Sequence, residues 1–119
     1  MEEVIDPTAV NTLRLASGAQ MPAAAFGTFH SDWAQAKIKQ ATIEAIRLGW
    51  RHIDTARAYE NEAVIGEAIR EAIRKGYIGS ASDLFITGKL WNGDMRPAEV
   101  APAAERTLRA LGVDNEHLG

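Results

Sequence analysis

The chain has 119 residues, room for one modest domain. Apolar residues make up 46% and charged residues 24%, the balance of a soluble globular protein. Thirteen basic against sixteen acidic residues leave a net charge of −3 with no basic run, which argues against nucleic acid, and zero cysteines exclude disulfides and thiolate chemistry.

The N-terminus, MEEVIDPTAV, is acidic and has no apolar core, so no signal peptide is expected. No apolar run approaches the ~20 residues of a membrane span, and a cytoplasmic, reducing setting fits. Thr12 to Leu15 alternates, Ser17-Gly18 is a turn signal, and a second short run ends at Gly27. These predict a small hairpin and then a first core strand near Ala24 to Gly27.

Ser31 or Asp32 is expected to cap a helix whose buried face carries Ile38, Ala41, Ala45 and Leu48, with Gly49 at its end. Trp50 to Asp54 reads as a second strand. Asn61 is expected to cap the next helix, with Glu62 in its first turn. Ile65, Ala68, Ile69, Ala72 and Ile73 follow the helical spacing, and Gly76 stops it. A loop leads to a third strand within LFITGKLW. Asn92, Gly93 and Asp94 form the next loop, and Pro97 suits a first helical turn. Val100, Ala104, Leu108 and Leu111 make an apolar stripe ended by Gly112. Pro102 predicts either a late helix start or a bend, because an interior proline removes a hydrogen bond at about 3 kcal/mol.

Strand and helix therefore alternate three times, with strand starts about thirty residues apart, the rhythm of βα units in a parallel sheet. A doubly wound dinucleotide fold needs G-x-G-x-x-G after its first strand, and FGTFHSD offers one glycine. There is no phosphate loop of the G-x-x-x-x-G-K-[ST] kind. The expected fold is α/β, a partial (β/α)8 barrel: an N-terminal hairpin and about three βα units, with an open edge after the third.

The carboxyl ends of parallel strands carry the site in such folds. Three ends are visible: Gly27-Thr28-Phe29, Asp54 with Tyr59 beyond it, and Lys89-Leu90-Trp91. Neighbouring strands lie about 4.8 Å apart, so Asp54 and Lys89 are expected to meet within about 4 Å, with Tyr59 leaning over them. A phenol with a free pKa of ~10 is a reluctant acid. An adjacent ammonium favours its phenolate, and a carboxylate holds the ammonium charged and in place. Such a tyrosine can protonate the oxygen of a carbonyl under reduction.

At these residues the chain resembles the aldo-keto reductases. GWRHIDTARAYENEAVIG reads like the family's first signature, DLFITGKLWN like its third-strand segment, and GAQMPAAAFGTF like its hairpin and first strand. The resemblance runs from about Leu13 to Val113. It implies NADPH-dependent reduction of a small aldehyde or ketone. Tyr59 would be the proton donor, Lys89 would lower its pKa, and Asp54 would pair with Lys89. Gly27, Thr28 and Asp54 would lie at the cofactor. Phe29, where the family often has tryptophan, and Trp91 would line the substrate pocket. No metal is implied, and His30, His52 and His117 do not form a metal set.

The family's fourth strand carries a histidine in a segment like Y-x-D-L-Y-L-I-H-W-P. Here Asp114 is followed by NEHLG, and His117 stands too early and in the wrong context. Residues 1–119 are therefore expected to be the N-terminal part of a reductase barrel: a truncated gene product, a partial sequence or a deliberately cut piece. The alternative is a non-catalytic remnant that keeps part of the scaffold. In both cases the unpaired side of the third strand is expected to promote self-association.

Overall fold

The structure is a computed structural model, which describes residues 6–113. After a 3-10 turn at Pro7–Ala9 come two short antiparallel strands, β1 (Thr12–Arg14) and β2 (Gln20–Pro22), with Leu13 opposite Met21. Gly18 turns the hairpin at φ 90°, a conformation that glycine adopts at little cost.

A separate sheet holds β3 (Phe26–Gly27), β4 (His52–Asp54) and β5 (Phe85–Thr87), all parallel, with β4 in the middle. Gly27, Asp54 and Thr87 share one level of the ladder. The crossovers are α1 (Gln35–Leu48) and α2 (Glu62–Arg74), and α3 (Pro97–Leu111) follows β5. The helices form a row, α1 against α2 and α2 against α3. Ile46, Ile53, Ile65, Ile69, Ile86 and Leu111 join sheet and helices in one core. Among the described residues β5 is an edge of this sheet.

All three strands are shorter than the apolar runs that predict them. Past Asp54 the ladder gives way to a loop, although Thr55 still donates its amide to the Thr87 carbonyl at 2.9 Å. Before β4, the Arg51 guanidinium donates to the carbonyls of Ile46, Trp50 and Tyr77, which turns the chain between helix end and strand.

Neither Ser31 nor Asp32 caps α1. The residue at the cap position is Ala34, with no side-chain bond. His30 stacks on Trp33 at 4.4 Å and its Nδ1 accepts from the Asp32 amide, so these residues form a turn ahead of the helix. The buried face of α1 is Ile38, Thr42, Ile43, Ala45 and Ile46, while Ala41 and Leu48 are half-buried. Thr42 tolerates burial because its hydroxyl donates to the Ile38 carbonyl.

Asn61 does stand at the head of α2, but its side chain makes no capping bond. Along α2 the expected face is buried except for Ile73, which is half-buried. Helix α3 begins at Pro97 and runs unbroken through Pro102, so the late start is not seen. Pro102 deprives only the Ala98 carbonyl of its helical partner, and both residues are exposed, so water can supply the bond. The buried residues of α3 are Ala103, Thr107 and Leu111. Val100 is exposed and Leu108 half-buried, because α2 covers only one flank of the helix. Asp114 and His117 lie outside the described residues.

Candidate active site

Asp54 is the last residue of the central strand, so its side chain stands above the carboxyl end of the sheet. A 3-10 turn, Arg57–Tyr59, follows at once and brings the phenol back over the strand end. It is fastened by the Arg57 amide, which donates to the Lys89 carbonyl at 3.3 Å. Glu60 closes this turn at φ 55°, a left-handed conformation uncommon for a side chain other than glycine. Lys89 follows β5 and reaches the same point from the neighbouring strand.

The three side chains converge. Lys89 Nζ donates to Asp54 Oδ2 at 2.8 Å and to the Tyr59 hydroxyl oxygen at 2.8 Å. The phenol in turn lies 3.5 Å from Asp54 Oδ2, and Lys89 Nζ is 4.7 Å from the centre of the Tyr59 ring. A weaker third hydrogen bond runs from Lys89 Nζ to the Thr55 carbonyl at 3.4 Å. Burial works against charge on Lys89, but the hydrogen bonds and charges of Asp54 and Tyr59 outweigh it and hold its pKa above the ordinary lysine value.

That raised pKa has a signed consequence for stability. The contribution of the charged Lys89 is complete below the unfolded lysine pKa of about 10.4 and is lost as pH climbs through the higher folded value. The urea midpoint of the chain is therefore expected to fall more steeply above about pH 10 than that of Lys89→Met. Parallel curves for the two proteins would show that the ion pair adds nothing. The effect is small, because the pair is partly open to solvent.

Gly27 ends β3 level with Asp54, and a Cβ there would meet nothing within 4 Å. The strand end is thus open enough for a flat ring to approach. Thr28 is buried, and both its amide and its hydroxyl donate to the Asp54 carbonyl, at 3.2 and 2.9 Å. It has no donor left for a ligand. Phe29 is 64% exposed and its ring centre lies 5.2 Å from that of Tyr59.

Phe29 and Trp91 do not share a cavity. Phe29 lines an apolar hollow of about 130 Å³ with Phe26, Gly27 and Trp33. Trp91 lines a hollow of about 230 Å³ with Arg57, Ala58 and Glu60. Two further hollows lie elsewhere, around Trp50 and Arg51 and beside Tyr77, away from the three converging side chains. Among the described residues no group of three His, Asp or Glu side chains could hold a metal ion, and no helix is long and apolar enough to cross a membrane.

Two groups were not legible as part of the site. Asn61 and Thr55 are the first: with Thr28, which the sequence did place at the site, they form a buried polar chain directly beneath Asp54. His52 donates Nδ1–H to the Pro22 carbonyl at 2.9 Å, since a carbonyl can only accept, and its Nε2 meets the Thr87 hydroxyl at 2.7 Å. The available signal was positional: polar residues within or just past the strands beside an acid, His52 and Thr55, where apolar residues would ordinarily fill the core.

Parallel strands joined by helices, with the polar cluster at their carboxyl ends, define part of a (β/α)-barrel. The Aldo/keto reductase family model matches residues 23–117, and the chain belongs to that family. It is 41% identical over 111 residues to an NADPH-dependent codeinone reductase of Papaver somniferum, covering 92% of this chain and 35% of that protein. It is 45% identical over 98 residues to deoxymugineic acid synthase 1-A of Triticum aestivum, covering 82% of this chain and 31% of that one. An aldo-keto reductase of Bombyx mori solved in complex with NADP superposes with a TM-score of 0.82 at 36% identity, over 88% of this chain and 35% of that chain. The chain thus spans about a third of the length of the curated relatives it matches.

Proposed function

We propose that these residues form the proton-donor corner of an NADPH-dependent carbonyl reductase. The observation that carries this reading is the Lys89 ammonium held 2.8 Å from both the Tyr59 hydroxyl and the Asp54 carboxylate.

The cofactor, when bound, supplies a hydride. The residues present fit its nicotinamide end at Gly27, whose face is open, and at the neighbouring Asp54 and Phe29. Thr28 contributes differently. With its donors committed to Asp54, it shapes the strand end and offers no hydrogen bond of its own. As negative charge develops on the carbonyl oxygen, Tyr59 donates its phenolic proton to that oxygen. Lys89 stabilises the phenolate left behind, and Asp54 keeps Lys89 charged and aimed. Phe29 and Trp91, both exposed near this point, offer apolar and aromatic surface to the carbonyl compound.

The class of substrate is a small aldehyde or ketone, and the compartment that suits the chain is the cytoplasm. The open side of β5 is read as a site where a second copy of the chain adds in the isolated state.

The test is a nicotinamide-absorbance assay with a simple aromatic aldehyde. Residues 1–119 alone are expected to give no detectable turnover, because positioning supplies about 7–11 kcal/mol of barrier reduction and this chain carries only part of the positioning groups. The same residues joined to a matching C-terminal part of a family barrel are expected to be active. Robust turnover by the short chain, or none by the joined one, would overturn the reading.

A further inference from the structure

Asn61 occupies the position where an asparagine ordinarily caps a helix, for about 1 kcal/mol. It does not cap α2. Its side chain is 1% exposed and turns away from the helix toward the ends of β3 and β4. The orientation of the carboxamide follows from its partners. Nδ2 lies 3.0 Å from the Thr28 carbonyl, which can only accept, so the amino group must face it. Nδ2 is also 3.2 Å from Thr28 Oγ1. Oδ1 then faces Thr55 Oγ1 at 2.8 Å, and because Oδ1 can only accept, the Thr55 hydroxyl donates.

Every proton in this chain of bonds has one direction. Thr55 donates to Asn61, Asn61 donates to Thr28, and Thr28 donates by amide and hydroxyl to the carbonyl of Asp54. All three residues are buried. The chain therefore grips the backbone where it leaves Asp54: the Asp54 carbonyl through Thr28, and the following residue through Thr55. The Thr55 carbonyl is itself the third acceptor of Lys89 Nζ. By contrast, what holds the Asp54 carboxylate directly is a flexible lysine and a long bond from the phenol, both partly open to water. The backbone beneath the carboxylate is the fixed part of the arrangement.

We propose that Asn61 is a positioning residue: through Thr28 and Thr55 it locks the backbone around Asp54 and so sets the carboxylate against Lys89 and Tyr59. The side-chain hydrogen bonds of Asn61 go to Thr28 and Thr55, and none goes to the three side chains themselves. Its contribution is to make their geometry a property of the buried network rather than of exposed rotamers. The role rests on reading the trio as reaction machinery.

The test reads that geometry without any turnover. Lysine 13Cε NMR on the full chain follows the titration of Lys89, assigned with Lys89→Arg. If the backbone under Asp54 relaxes, the carboxylate drifts from Nζ and the ammonium loses its support. In Asn61→Ala the Lys89 titration is expected to move down toward the ordinary lysine value. Thr55→Val, which keeps the shape and removes only the donor to Asn61, is expected to move it the same way by less. Thr55→Ser, which restores the hydroxyl, is expected to return it. Asp54→Asn marks the full displacement.

An unshifted Lys89 titration in either folded variant would overturn the proposal. Loss of the folded state in both Asn61→Ala and Thr55→Val, read by circular dichroism, would also overturn it and make the network purely structural. Failure of the reductase reading shows itself separately, as absent turnover in the joined chain, and leaves the Lys89 measurement intact.

Discussion

In residues 1–119 joined to a matching C-terminal part of a family barrel, Tyr59→Phe is expected to lower NADPH-dependent reduction by about 10²–10⁴-fold, the usual contribution of a positioned general acid. Phenylalanine keeps the ring that meets Phe29 at 5.2 Å and lies beneath Lys89, so the substitution removes the hydroxyl and little else. Cofactor affinity should be close to unchanged, because the hydroxyl faces Lys89 and Asp54 and does not line the open face of Gly27. The measurement is kcat by loss of nicotinamide absorbance, together with a fluorescence titration of NADPH. Full activity of the variant would show that another group is the acid.

Gly66→Ala is expected to destabilise the fold by about 1–3 kcal/mol, against the intuition that alanine improves a helix by roughly 0.5–1 kcal/mol. Gly66 is buried within α2, and a Cβ on it would lie 2.5 Å from the Leu111 carbonyl oxygen and 2.9 Å from that of Ala110. These are backbone atoms in the last turn of α3, so no side chain can swing aside. Relief requires α3 to retreat, and its C-terminal end with Leu111 would leave the core. The urea midpoint reads the change. An unchanged or higher midpoint would mean that α3 moves away without cost, and that α2 and α3 are not packed as described.

The alternation of strand and helix was legible because it depends on spacing alone. The Ile65–Ala72 face of α2 and the glycines that end α1 and α3 needed nothing but local chemistry. The convergence of Asp54, Lys89 and Tyr59 was legible for a similar reason: parallel strands put their ends on one side, and a short turn returns the phenol. Capping was not. Ser31 and Asp32 are good cap residues, but the stacking of His30 on Trp33 governs that stretch, and it depends on side-chain contacts that propensity does not contain.

Asn61 shows the same limit from the other side. Its position matched the pattern of a cap, while its bonds went to residues brought near only by the sheet. The face of α3 was misplaced because its buried side depends on what stands beside it. The 3.6-residue period fixes which positions align, not which of two neighbouring stripes a partner covers.

The hairpin of β1 and β2 has few ties to the rest of the molecule. β1 is exposed throughout, and the strongest polar link from β2 to the parallel sheet is one imidazole, His52, held between the Pro22 carbonyl and Thr87. Two levels of cooperativity are therefore expected. The hairpin is expected to open at lower cost than the isoleucine core, because only the His52 bond and the packing of the half-buried Met21 and Pro22 tie it to the body. Its turn at Ser17–Gly18 is accordingly the natural place to splice in a tag or a reporter, since a loop tip on a separately opening unit transmits little strain to the strand ends where Asp54 and Lys89 meet.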